Sequence, residues 1–255
     1  MKKLFLLTLL MPLSLFSQKD SLNSYSLTVE PQLFRNAEEL IITRKNSSSG
    51  YLFRFEWQHA KKSQIHRLSL STTFSRPKNE YEPAHVSFWI SPELKYTYLH
   101  SLKPFTFGSL FLGANFQAEY QIAYYALWDD SHMYWADFWG IGLSSFFEKI
   151  KDDRKAYFAS FEFPLFGGLS RPPVYRDYKM DETSAGGIME SLHQEIKPVT
   201  FLNYINPALS LGVRLKYSDH FSNAFYYHFE YIKADLAVSK PYKQLQHGIG
   251  ITFIF

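Results

Sequence analysis

The 255-residue chain contains no cysteine, so it has no disulfides, no thiolate metal site and no cysteine to carry a lipid. It has no large charge surplus either. Its 27 basic and 24 acidic residues give a formal +3, which offers nothing suited to a nucleic-acid partner. Long hydrophobic runs are also missing. Beyond the first residues nothing approaches the roughly 18 consecutive apolar residues of a membrane-spanning helix. The abundant class is aromatic, 18% of the chain with 18 Tyr and 24 Phe, more than a soluble domain needs.

The first residues, MKKLFLLTLLMPLSLFSQ, read as a secretory signal. Lys2 and Lys3 form a basic start, residues 4–16 are mostly apolar, and Ser17 offers a small residue before Gln18. The expected organisation is a signal peptide over 1–17 and one domain over 18–255. Cleavage would remove Lys2 and Lys3 from the formal +3 and leave a nearly neutral chain.

The aromatic surplus is organised with a period of two. In LQHGIGITFIF, Leu245, His247, Ile249, Ile251, Phe253 and Phe255 share one face, while Gln246, Gly248, Gly250 and Thr252 share the other. In YLFRFEWQH, Tyr51, Phe53, Phe55 and Trp57 oppose Arg54, Glu56 and Gln58. Ten segments alternate in this way, near 24–35, 50–60, 64–75, 84–99, 105–121, 138–148, 155–167, 201–217, 223–235 and 244–255. Long gaps alternate with short polar ones. A soluble sandwich would turn its charged face outward and its large residues inward. Here the charges collect on the narrower polar face, and the opposite face is almost uncharged.

That inversion suits lipid as the solvent, and only a closed sheet satisfies its backbone there. The expected fold class is therefore all-β: a transmembrane antiparallel up-and-down barrel of about ten strands, with short periplasmic turns and long outer loops. Twelve strands follow if residues 37–45 or 188–200 supply more. The chain resembles outer-membrane β-barrel proteins as a broad class, most specifically in its terminal GIGITFIF. The resemblance implies the outer membrane of a Gram-negative bacterium, contact with its lipid, and recognition of the strand ending at Phe255 by the barrel-insertion machinery. The FSQ context resembles Bacteroidota signals.

Barrels of about eight strands are filled by their own side chains. The inward set expected here is Arg54, Glu56, Arg67, Glu93, Lys95, Glu119, Glu162, Arg214, Lys216 and Glu230, a near-balanced ionic core joined by Glu30. Near balance favours a filled lumen over a selective pore.

SDHFSNAF, residues 218–225, matches the His-x-Ser-Asn motif of outer-membrane phospholipase A and the lipid A 3-O-deacylases. The resemblance would make Ser222 a nucleophile and His220 its base, with Glu230 (or Asp235) as the orienting acid. Counting strands back from the C-terminus instead places residues 218–222 in a periplasmic turn, where Asp219, Ser222 and Asn223 suit turn chemistry.

The outer loop LWDDSHMYWADFW carries the polar residues Asp129, Asp130, His132 and Asp137. Its aromatics, Trp128, Tyr134 and Trp135 among them, are of the type that anchors a protein or glycan partner. The omptin proteases have acid and histidine groups on this side, but theirs come from separate strands. In the longest loop, Ile188, Leu192 and Ile196 have helical spacing. The sequence-level function is a surface-binding or complex-forming barrel with a mostly filled lumen, with no cofactor, metal or nucleic acid expected. A lipid hydrolase and a small passive channel are the alternatives.

Overall fold

The computed structural model describes residues 21–37, 45–78, 87–102, 105, 107–125, 133–171, 190, 193, 196–235 and 242–255. The expected signal segment, the proposed extra strand at 37–45 (apart from its two end residues) and the loop residues 126–132 lie outside them. The described residues form twelve strands: β1 (Ser21–Ala37), β2 (Lys45–Lys61), β3 (Gln64–Lys78), β4 (Ser87–Ser101), β5 (Ser109–Tyr125), β6 (Met133–Asp152), β7 (Lys155–Ser170), β8 (Lys197–Thr200), β9 (Tyr204–Ile205), β10 (Ala208–Ser218), β11 (Phe221–Ala234) and β12 (Tyr242–Ile254).

Ten of these close into an antiparallel barrel. Consecutive strands pair from β1 to β7, β10 pairs with both β7 and β11, and β12 joins β11 to β1. Two seams complete the ring. Ala208 to Leu215 lies against Glu162 to Lys155, and Ser26 to Ala37 against Ile254 to Lys243. Phe255 exchanges backbone hydrogen bonds of 2.8 and 3.0 Å with Tyr25, so the last residue is part of the closed ladder. β8 and β9 are short. They pair with the outer ends of β7 and β11, and neither spans the barrel.

The alternation is the reason for the closure. On β1, Leu27, Val29 and Leu33 are 52, 40 and 64% exposed while Glu30 between them is fully buried. A water-soluble domain does not expose that much contiguous apolar surface. Facing acyl chains, the same residues are in a matched solvent, and the strand backbone pairs around the closed ring. The expected lipid face and polar inside are both present.

Both termini of the barrel share one rim with the short turns at 62–63, 153–154 and 219–220. By the usual asymmetry of such barrels this is the periplasmic rim.

Three strands depart most from the expected bounds, and the first is β2, which starts at Lys45 rather than near 50. β6 starts at Met133, not near 138, because aromatic residues on both of its faces hide the alternation over 133–139. The segment expected at 201–217 begins its continuous strand only at Ala208. Residues 201–203 form a turn, and Pro207, which has no N–H to donate, stands just before the strand. A bulge between Ile141 and Gly142 lies opposite Pro164 and inverts the outer part of β7, turning Leu169 inward.

Candidate functional site

The lumen is the described region where side-chain chemistry concentrates, and it is built in three layers. Nearest the periplasm, Ile65, Leu99 and Phe146 form a small apolar cluster with Phe111 and Phe158 packed on it. The guanidinium of Arg67 lies 4.4 Å from the Phe146 ring centroid and donates from Nε to Gln58 at 2.9 Å. Arg214 pairs with Glu148. Above them is a cavity of about 160 Å³ with arginine, serine and threonine in its walls, including Arg54, Arg67, Ser210 and Thr252.

The middle layer is a polar network. Glu30 accepts from Tyr226 Oη at 2.6 Å and from Gln32 Nε2 at 2.9 Å. Tyr226 is accommodated because residue 250 is glycine: a Cβ there would come within 2.1 Å of the Tyr226 ring. Lys95 Nζ lies 3.0 Å from Glu93 and 2.7 Å from Glu162, linking β4 to β7 across the lumen. Glu119 accepts from Ser91 and Gln121 at 2.9 Å and from Gln117 at 3.3 Å. His228 lies 3.6 Å from Glu230 through Nε2 and 2.9 Å from Ser210 Oγ through Nδ1. Glu93, Lys95, Glu119, Glu162, His228 and Glu230 from this network line a cavity of about 50 Å³.

The outer layer is apolar. Trp89, Phe138, Leu169, Val199, Tyr204, Ile232 and Tyr242 pack together with the barrel's small alanines. Phe138 and Tyr204 stack at 4.3 Å, and Phe34 and Trp89 at 5.9 Å. Gly140 and Gly167 leave the space that the Phe138 ring fills. The gap between this layer and Glu119 is about 10 Å³, at the limit of a single water.

Of the ten residues expected in the lumen, Arg54, Glu56, Arg67, Glu93, Lys95, Glu119, Glu162, Arg214 and Glu230 carry inward register positions in these layers. Lys216 does not join them. It is half exposed at the periplasmic rim and bonds Asp219 at 2.7 Å, and that bond holds the Asp219 carboxyl below its ordinary range. Glu148 was missing from the expected set, as were Asn206, Tyr226 and the glutamines. Glu148 and Asn206 sit at a strand end and beside a proline, where alternation is weakest.

The motif residues are not assembled as a triad. His220 is exposed in the 219–220 turn, where its backbone N–H bonds Ser218 Oγ at 3.3 Å. Ser222 lies in β11, opposite Lys216 and Ile254. No described hydrogen bond joins His220 to Ser222. Glu230 is eight residues farther along the strand, roughly 26 Å at about 3.3 Å per residue, too far to orient His220.

In the candidate outer loop, Trp128, Asp129, Asp130 and His132 lie outside the described residues, and Tyr134 is described only by its backbone within β6. The expectation for Trp135 is corrected. It is 2% exposed within β6 and donates from Nε1 to Ser170 Oγ at 3.3 Å, so it presents no surface to a partner. Asp137 is likewise in β6 and buried, opposite Tyr120 and Ser170 on the outward register. Nearby, His193 bonds Tyr120 Oη at 3.1 Å and meets the Trp139 ring edge-on at 5.2 Å.

No protein-family model matches the chain, and no curated protein does. Solved structures do. The outer membrane protease OmpT from Escherichia coli superimposes with a TM-score of 0.53 at 7% identity, over 94% of this chain and 98% of that one. The translocator domain of autotransporter NalP from Neisseria meningitidis gives 0.40 at 9% identity, covering 99 and 94%. Neisserial surface protein A gives 0.33 at 10%, covering 89 and 95%. At such identities the OmpT match is a match of fold alone. With its lipid-facing exterior and polar interior, the chain is an integral outer-membrane β-barrel of ten antiparallel strands.

Proposed function

We propose that the protein is a non-conducting outer-membrane barrel that acts through its outer loops, as a surface-binding or complex-forming protein. The observation that carries this reading is the apolar layer across the outer half of the lumen. Phe138 and Tyr204 stack at 4.3 Å within this layer, which supports a closed outer half, and the lumen below is cross-linked by Lys95 and its two acids. With the lumen closed, chemistry directed at the cell exterior falls to the connections at 126–132 and 172–195. Trp128, Asp129, Asp130, His132 and Tyr134 are the proposed contact residues for a protein or glycan partner. Trp128 is the type of large amphipathic anchor that dominates binding energy.

The test uses a photo-crosslinking amino acid at position 128 or 132 on intact cells, with position 222 as the periplasmic control. Discrete adducts from the two loop positions, absent from 222, support the reading. An absence of adducts from both loop positions, in a barrel that is folded and inserted, contradicts it.

A further inference from the structure

We propose that Ser210, His228 and Glu230 form a serine-hydrolase site inside the barrel, which cleaves small carboxylic esters reaching it from the periplasmic side. The site is independent of the outer loops, and strand register assembles it. Ser210 on β10 is the direct cross-strand partner of His228 on β11, and Glu230 is two residues farther along the same face. The side chains meet accordingly. Ser210 Oγ lies 2.9 Å from His228 Nδ1, and His228 Nε2 lies 3.6 Å from a carboxylate oxygen of Glu230. Nucleophile, base and orienting acid therefore stand in the order that acyl transfer requires.

The carboxylate selects the tautomer. A negative charge facing Nε2 favours a proton there, which leaves Nδ1 as the acceptor for the Ser210 hydroxyl. The opposite tautomer would set a nitrogen lone pair against Glu230. At 3.6 Å the acid also stabilises the imidazolium that forms when the serine gives up its proton.

The second observation is where the nucleophile stands. Ser210 is in the wall of the chamber of about 160 Å³, whereas His228 and Glu230 line the smaller cavity beyond it. Ser24 and Ile254, in the same wall, lie at the periplasmic ends of β1 and β12, so the chamber extends toward that rim. Phe146, Phe158 and Ile254 suit a short acyl chain, and three arginines stand among them with Glu56 as the acid in the wall. Arg67 bonds Gln58 and lies 4.0 Å from Glu56, and Arg214 pairs with Glu148. Arg54 lines both cavities, which makes its guanidinium the donor available to a developing oxyanion.

In the reaction Ser210 Oγ bonds to the ester carbonyl carbon while its proton passes to His228 Nδ1. The tetrahedral intermediate then breaks its bond to the alcohol, which leaves with that proton. Water attacks the acyl carbon next and gives a proton to His228. The bond to Ser210 breaks, and the serine takes the proton back. The products are a carboxylic acid and an alcohol.

The test treats the full barrel, refolded in detergent, with a small dialkyl fluorophosphate and maps the adduct by mass spectrometry. One dialkylphosphoryl group should appear on Ser210, and neither Ser210→Ala nor heat-denatured barrel should acquire it. With p-nitrophenyl acetate as substrate, His228→Gln should slow turnover about 10²–10⁴-fold at equal folded fraction. Glu230 acts through His228, so Glu230→Gln should lower kcat and leave KM unchanged, a split that a merely structural role would not give. No adduct on the native folded barrel overturns the proposal. So does an adduct on another residue, Ser222 included, and so does labelling of Ser210 that is as fast in His228→Gln as in the native protein.

Discussion

The outer and periplasmic halves of the lumen are threaded by the same alternating strands and filled in opposite ways. Toward the loops, Trp89, Phe138, Tyr204 and Tyr242 meet as rings with small residues beneath them. Toward the turns, arginines, serines and threonines surround a cavity of about 160 Å³. A polar layer alone leaves room for water and small solutes, whereas packed rings do not. The difference locates the seal. On the proposed reading closure comes from apolar packing in the outer half, and the periplasmic half keeps a chamber beside the smaller cluster of Ile65, Leu99, Phe111, Phe146 and Phe158.

That contrast is broken most severely by removing the seal. Phe138→Ala deletes the ring that stacks on Tyr204, and the barrel should lose about 3–5 kcal/mol, the usual range for a buried Phe→Ala change. Urea-driven unfolding in detergent micelles, followed by tryptophan fluorescence, measures it. A loss well under 1 kcal/mol would mean that the outer layer is not packed as described.

Lys95→Met should cost a similar amount, about 3–5 kcal/mol, because it strands the carboxylates of Glu93 and Glu162. Adding Glu93→Gln and Glu162→Gln to the same chain should restore most of the loss. If the triple variant is no more stable than Lys95→Met alone, the ion-pair account of this layer fails.

Gly250→Val is a smaller test of the boundary between halves. The new Cβ would meet the Tyr226 ring, and overpacking of this kind costs about 1–3 kcal/mol. Tyr226→Ser in the same background should relieve part of the loss, which thermal unfolding of the pair would show.

The smallest effect belongs to the rim. Lys216→Met removes the partner of a fully exposed carboxylate, and its urea midpoint should match that of the native protein. The bond to Lys216 lowers the Asp219 carboxyl below its ordinary range. Any stabilisation from it is therefore present above the unfolded-state value and lost as pH falls through the lowered one. A clear shift of the midpoint near neutral pH would mean that the rim is more ordered than its exposure indicates.

Much of the architecture is legible in the chain because side-chain direction alternates strictly in strands. Leu27, Val29 and Leu33 against Glu30 require no knowledge of neighbours. Counting back from Phe255 places residues 218–222 at the rim of the short turns, where the turn itself is 219–220 and Ser222 already belongs to β11. Strand bounds failed where the period was masked. Trp135, Asp137 and Trp139 face outward beside inward Ala136 and Phe138, so both faces of β6 are rich in rings. Pro164 and its bulge change which residues of β7 face inward, and Pro207 breaks the start of the eighth spanning strand. Among its described residues, the 188–200 segment contributes the short β8 at Lys197–Thr200.

The lumen was legible as a set of residues and not as a network. Lys95 meets Glu162 only because β4 and β7 face each other across the closed ring, a distance of 67 residues in sequence. The balance of six acids and five bases read from the chain also shifts once register is known. Lys216 leaves for the rim, Glu148 joins Arg214, and Glu230 has a histidine, His228, beside it rather than a lysine or arginine.

The central claim is that the outer half of the lumen is sealed, and single-channel recording in planar bilayers tests it most directly. The native barrel should give no stepwise conductance at any moderate voltage, while a Trp89→Ala/Phe138→Ala variant, inserted to the same extent, should give discrete steps. Reproducible steps from the native protein would show an open path past Phe138 and Tyr204, and would make the protein a channel rather than a closed surface-acting barrel.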